Sequence, residues 1–189
     1  MLTYEEDIKH AVDCLKEGGV ILYPTDTIWG LGCDATNNSA VNRLFEMKRR
    51  APKKAMISLT DSFKSLESFV GTVPIAVKEL IETSERPITV IFDSAQGISD
   101  ALKAEDGSVA FRIPRFEFVQ EICKRLGKPL VSTSANISES PTPSCFEEIQ
   151  QELIDNVDYA CRFERDKKNS SASKIVRLSG DGSINIIRE

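Results

Sequence analysis
Histidine is almost missing from this chain: its 189 residues include one, His10. A serine or cysteine nucleophile activated by imidazole therefore has no base except a residue in a charged N-terminal stretch that reads as ordinary surface. Cysteine is sparse too. Cys14, Cys33, Cys123, Cys145 and Cys161 are odd in number, scattered, and form no C-x-x-C pair. That pattern excludes a disulfide framework and a zinc ribbon, and it points to a reducing compartment. No apolar run approaches the roughly 20 residues a membrane helix needs. Met1 to Lys9 is acidic and polar, unlike a signal peptide. The expected setting is cytoplasmic, with no membrane. An excess of positive charge is also lacking, because the formal net charge is −5. A general nucleic-acid coat is excluded on that ground, since such binding draws its strength from neutralised phosphates. Finally, there is no G-x-x-x-x-G-K-[ST], no G-x-G-x-x-G and no nucleophile elbow.

What is present is a globular composition, 41% hydrophobic and 28% charged. Thr3 and Glu6 make a capping box ahead of Ile8, Ala11, Val12 and Leu15, which share one helical face until Gly18-Gly19 ends the helix. Val20 to Tyr23 is a buried strand stopped by Pro24. Asn38 caps a second helix that buries Val41, Leu44 and Phe45 and runs into basic residues. Ala55 to Leu59 is a strand, followed by helices after Asp61 and from Pro74. Ile88 to Phe92 and Ser108 to Ile113 are strands, Phe116 to Leu126 is a helix closed by Gly127, and Leu130 to Ser132 is a strand. A helix over Pro143 to Leu153 and strands near Val157 to Arg162, Lys174 to Leu178 and Ile184 to Ile187 complete the chain. Strands alternating with helices predict one α/β domain over residues 1–189, without an internal repeat.

Four polar stretches fall where strands or helices end, which is where open α/β sheets hold ligands. The first is Tyr23 to Gly32, with two threonines, Asp26 and two glycines. The second is a basic cluster: Arg43, Lys48, Arg49, Arg50, Lys53 and Lys54 against Glu46 alone. It reads either as a solvated helix end or as an anion site. Lys48 and Arg50 lie two apart just as the helix should end, so both face one polyanion only if the helix frays there. The third is Arg112 before Pro114. The fourth is Ser132-Thr133-Ser134-Ala135-Asn136, whose hydroxyls and backbone N–H groups suit phosphate oxygens.

Taken together, Pro24-Thr25-Asp26-Thr27-x-Trp29-Gly30-Leu31-Gly32, Lys48-x-Arg50, Ser108-Val109-Ala110-x-Arg112 and Ser132-x-Ser134-Ala135-Asn136 resemble, in order, the signatures of the YrdC/Sua5 family. The resemblance spans Gly18 to Arg188 and is closest to the short, single-domain branch of threonylcarbamoyl-AMP synthases. It implies a twisted, open, mixed α/β sheet with flanking helices and a large concave cavity. It also implies an active-site tetrad of Lys48, Arg50, Ser134 and Asn136. Thr27, Arg112 and Ser173 correspond to positions that hold L-threonine; Arg50, Lys54, Ser108, Ser132, Ser134 and Arg188 correspond to nucleotide contacts. The implied substrates are L-threonine, bicarbonate and ATP. Magnesium is carried on the ATP with no protein metal site, and a downstream transferase complex uses the product on tRNA. Asp26 reads as a turn cap or as a group placing the amine or the magnesium.

The chain departs from the family pattern at four places. Arg86-Pro87-Ile88-Thr89 stands for P-G-P-x-T, Glu139 stands for a glycine, Leu59 stands for a histidine of the longer branch, and Trp29 replaces a Tyr or Phe. The Trp29 indole is expected within or just behind the amino-acid pocket, with a core anchor as the alternative. Other classes compete with the enzyme. The basic cluster raises weak binding of double-stranded RNA without catalysis. A carbamoyl transferase using carbamoyl phosphate would bring zinc-finger domains that five scattered cysteines do not supply.

Overall fold
A computed structural model of the chain describes residues 3–50, 56–168, 172–180 and 182–189. Helix α1, Tyr4–Lys16, opens with the expected capping box: Glu6 N–H donates to Thr3 Oγ1 at 3.3 Å and Thr3 N–H donates to the Glu6 carboxylate at 2.8 Å. It buries Ile8, Ala11, Val12 and Leu15 and hands over to strand β1, Ile21–Tyr23. Strand β2 follows at Gly30–Gly32, then helix α2 at Asn38–Met47, whose cap is Asn37 rather than Asn38. Asn37 Oδ1 accepts the Ala40 N–H at 3.1 Å, which a residue one position later could not do.

Strand β3 is Ile57–Leu59, and helices α3, Phe63–Val70, and α4, Ile75–Thr83, cover the next stretch. Strand β4, Ile88–Phe92, and strand β5, Val109–Arg112, flank a single 3-10 turn at Asp100–Leu102. Helix α5, Glu117–Leu126, ends at Gly127 with φ +69°, the left-handed stop expected of a glycine there. Strand β6 is Leu130–Ser134, helix α6 is Gln151–Asn156, and strands β7, Tyr159–Ala160, β8, Lys174–Leu178, and β9, Ile184–Arg188, close the chain.

The strands form one open, mixed sheet in the order β7-β1-β2-β6-β3-β5-β4-β8-β9. The β1/β7, β3/β5 and β4/β8 pairs are parallel and the other neighbours antiparallel. The glycine-flanked end of the first motif is itself a strand. A Cβ on Gly32 would lie 2.8 Å from the Tyr23 ring and would also strike the Val131 carbonyl, so the close pairing of β2 requires a glycine.

Alternation along the strands divides the residues between two faces. One face carries Val90 and Phe111 under α3 and α4, and Leu22, Leu31 and Val131 under α2. On the other face Ile21, Tyr23, Leu59 and Leu130 are covered by α1 and α5. Among the described residues no helix covers the middle of that second face. There the side chains turn from apolar to hydroxyl and guanidinium.

The expected helix from Pro143 to Leu153 forms only at its end, where α6 begins at Gln151. Ser144 N–H and Oγ both donate to Glu148 Oε2, at 2.7 and 3.0 Å, around a 3-10 turn at Phe146–Glu148. Ile149 then turns extended, at ψ 132°, to bury its side chain. Burial of Ile149 breaks the helix that local propensity favoured.

Candidate active site
The uncovered face holds a cavity of about 660 Å³. Its floor is set by strand parity: Thr89 and Ile91 from β4, Ala110 and Arg112 from β5, Ser132 and Ser134 from β6, and Gly30 opposite Ser134.

At one end lies Arg112, buried at the close of β5. Its Nη1 donates to Thr27 Oγ1 at 3.1 Å, and its Nη2 lies 3.3 Å from Asp26 Oδ1. Asp26 Oδ2 accepts the Arg115 N–H at 3.1 Å, so the carboxylate is fixed to the loop after β5 and steadies the guanidinium from behind. Thr27 Oγ1 also shares a hydrogen with Thr25 Oγ1 at 2.9 Å. Arg112 Nε is buried without a hydrogen-bond partner among the described residues. A buried planar cation with a spare donor is suited to a carboxylate.

Beside it, Thr89 Oγ1 and Ser173 Oγ share a hydrogen at 2.8 Å. Arg188, from β9, donates Nη2 to the Ser173 carbonyl at 2.8 Å and lines the same cavity.

The opposite end is built by the termination of α2. Arg50 N–H donates to Phe45 O at 3.0 Å and Arg49 N–H to Glu46 O at 2.8 Å, a Schellman pair with Arg49 in the left-handed position at φ 48°. The reversal sends three consecutive cations in three directions. Arg49 turns outward to Glu152 at 2.7 Å, Arg50 reaches the cavity, and Lys48 turns inward. Burial pushes the Arg50 guanidinium below its ordinary range.

Lys48 is 1% exposed. Its Nζ donates to the Ser134 carbonyl, to Asn136 O at 2.6 Å and to Asn136 Oδ1 at 3.3 Å. Burial, and then the neighbouring charge of Arg50, pull its ammonium down to about 7. Asn136 Oδ1 also accepts from Ser134 Oγ at 2.5 Å, and its Nδ2 donates to Ser140 O at 2.6 Å. The Lys48–Ser134–Asn136 group thus fixes the polar end of β6 from below, with Ser134 on the cavity side.

Of the residues singled out in the sequence, Thr27, Arg50, Arg112, Ser132, Ser134, Ser173 and Arg188 line one cavity. Lys48 and Asn136 lie immediately beneath it. Ser108 does not line it. It precedes the opposite end of β5 from Arg112, where its N–H donates to Asp106 at 3.0 Å. Lys53 and Lys54 lie outside the described residues.

Trp29 departs from expectation. Its indole is fully buried with Leu22, Leu31 and Val41 and meets Phe146 edge-on at 5.1 Å. Between Ile28 and Gly30, which face the cavity, alternation turns it to the opposite side of the sheet. The core-anchor alternative is the observed one. The basic cluster also disperses: Arg43 pairs with Asp158 at 2.5 Å on the far side of α2, so its four described cations form no continuous stripe.

Several lining residues had weaker signals in the sequence. Thr89 was legible as the polar position in the apolar run Ile88 to Phe92, placed on the cavity face by parity. Thr142, Pro143 and Ser144 line the cavity because the expected helix gives way to extended chain there.

A family model for Sua5, YciO and YrdC proteins, described as telomere recombination, matches residues 13–189. The chain belongs to this family. A threonylcarbamoyl-AMP synthase of Pseudoalteromonas translucida is 32% identical over 161 residues, covering 84% of this chain and 86% of its own length. One of Vibrio parahaemolyticus is 31% identical over 182 residues, covering 91% and 98%. Among solved structures, P. abyssi Sua5 complexed with L-threonine superposes with a TM-score of 0.81 at 23% identity. It covers 94% of this chain, which spans 52% of the P. abyssi protein.

The family frame gives Glu139 a reading. The resemblance sets it against a family glycine, and its backbone holds the left-handed conformation at φ 72° that glycine would adopt freely. The turn after Asn136 is therefore retained at the cost of local strain. A further departure, at Arg86 and Pro87, is bridged by Arg86 Nη2, which donates to Ala172 O at 2.9 Å beside Ser173.

Proposed function
We propose that the chain makes L-threonylcarbamoyladenylate from L-threonine, bicarbonate and ATP, releasing pyrophosphate. The observation that carries this reading is a single cavity with two differently built ends. One is a buried Arg112 with hydroxyls around it, scaled to an amino acid. The other has the Arg50 cation beside the hydroxyls of Ser132 and Ser134, suited to phosphates. The names of the relatives from Pseudoalteromonas and Vibrio and the L-threonine in P. abyssi Sua5 support it.

In this reaction the threonine amine takes up bicarbonate as a carbamate with loss of water. A carbamate oxygen then forms a bond to the α-phosphorus, and the bond from that phosphorus to the bridging oxygen breaks, with pyrophosphate leaving. The protein supplies no nucleophile, and the chain acts as a nucleotidyltransferase. Both reactants are anionic, so the work is alignment and charge compensation. Arg112 and Thr27 hold the amino-acid carboxylate. Arg50, with Ser132 and Ser134, holds phosphate oxygens, and Arg188 lies at the same cavity for the nucleotide. Lys48 and Asn136 hold Ser134 and its backbone in place. Among the described residues no group of acidic, histidine or cysteine side chains is arranged to hold a metal, and the cavity lining named here has no carboxylate. Magnesium belongs to the substrate in this reading, carried on the triphosphate. The product is an activated acyl group suited to a downstream transferase complex that modifies tRNA.

The deciding experiment measures pyrophosphate release with ATP in the presence and absence of threonine and bicarbonate. Release is expected only with both. Equal release from ATP alone would make the chain a plain ATPase and remove the assignment.

A further inference from the structure
We propose that Thr89 is a specificity residue: paired with Ser173, it reads the β-hydroxyl of the amino-acid substrate. The inference rests on the function proposed above and deepens it at one end of the cavity. Thr89 is 0% exposed and Ser173 2%, yet both face the cavity. In register, Thr89 stands opposite Arg112 across the β4/β5 pair, so both side chains leave the sheet on the cavity face.

The two hydroxyls are joined by one hydrogen bond of 2.8 Å, and neither makes another side-chain hydrogen bond among the described residues. Each hydroxyl has one donor and two acceptor positions, so the pair retains one unused O–H and free lone pairs. Buried in the cavity wall, such groups favour a ligand that completes them and disfavour one that leaves them unmatched.

The surroundings narrow the choice. Ile91, two residues past Thr89 on β4, and Ile175, two past Ser173 on β8, line the same wall. A hydroxyl pair flanked by two branched apolar side chains matches a carbon bearing both a hydroxyl and a methyl group, as in threonine. Arg188 holds the Ser173 carbonyl at 2.8 Å and so keeps the pair in position from the outer strand. Thr89 itself is exchangeable in shape: valine is nearly isosteric and equally at home in a strand, and it lacks only the hydroxyl.

The experiment compares L-threonine with L-2-aminobutyrate, which lacks the hydroxyl, as substrates for pyrophosphate release. Wild type, Thr89→Val, Thr89→Ser, Ser173→Ala and the Thr89→Val/Ser173→Ala double variant are assayed, each checked for fold by thermal melting. In Thr89→Val, kcat/KM for threonine is expected to fall about tenfold while that for 2-aminobutyrate and the KM for ATP stay unchanged. Discrimination should return in Thr89→Ser, and the double variant should lose little more than either single one, because the pair acts as a unit. Unchanged discrimination in folded Thr89→Val, or an equal fall for both amino acids, overturns the inference. Should Thr89→Val not fold, Ser173→Ala and Thr89→Ser decide it by the same ratio. Failure of the underlying reaction is seen separately, in wild type, as pyrophosphate release that ignores any amino acid.

Discussion

Replacing Lys48 by Met isolates the energetic role of the buried ammonium beneath the site. In the unfolded chain this lysine titrates near its ordinary value of 10.5, whereas in the folded protein burial and Arg50 bring it to about 7. The folded value is depressed, so between those two pH values the unfolded state binds the extra proton. Stability then rises with pH across that window, and the charged form of Lys48 weighs against the fold below it. Integrating between pH 6 and pH 9 gives a gain on the order of 2–3 kcal/mol for wild type from this residue alone. The group is 1% exposed, so solvent screening removes little of that. Lys48→Met has no such titration and should lack the gain. Against this, Met leaves the carbonyls of Ser134 and Asn136 without their donor, at about 1–3 kcal/mol each. The variant should therefore be less stable than wild type at pH 9 and approach it at pH 6. Urea unfolding of both proteins at several pH values between 6 and 9 measures the difference, in which other titrating groups cancel. Parallel curves would show that Lys48 keeps an ordinary ammonium and would refute the reasoning.

Four further outcomes are expected. Arg50→Ala should lower turnover on the order of 10²-fold in steady-state assays, with little change in melting temperature, because the side chain is aimed at the cavity from a helix end. Arg112→Lys should raise the threonine requirement about 10- to 100-fold and leave the ATP requirement alone, since a point charge cannot replace a fork held by Thr27 and Asp26. Glu139→Gly should stabilise the protein by about 0.5–1 kcal/mol in denaturant melts: relief of roughly 1–2 kcal/mol of left-handed strain outweighs the entropy glycine adds to the unfolded chain. Saturating threonine should leave Trp29 emission where it was, because the indole is packed on the other side of the sheet. A fluorescence titration run beside calorimetry checks this.

Local chemistry in the sequence determined a large part of this protein. Thr3 and Glu6 start α1 where their spacing requires, Gly127 stops α5, and the apolar runs at Ile88–Phe92 and Leu130–Ser132 became central strands. The motifs and the family resemblance they carry were enough to name Arg50, Arg112, Ser132 and Ser134, with Ser173 from the resemblance alone, and all five line one cavity.

Tertiary structure decided the rest, through effects that act between segments distant in sequence. Strand parity turned Trp29 to the core and Thr89 to the cavity, although motif membership alone pointed the other way for Trp29. Burial of Ile149 replaced the expected helix after Pro143 with an extended rim. The reversal after Met47 separated Lys48, Arg49 and Arg50, so a run of cations that looked like one patch became a buried pin, a surface ion pair and a cavity-lining guanidinium. A sequence records which charges are adjacent along the chain. Which of them share a dielectric and a ligand depends on the direction of each Cα–Cβ bond once the backbone has turned.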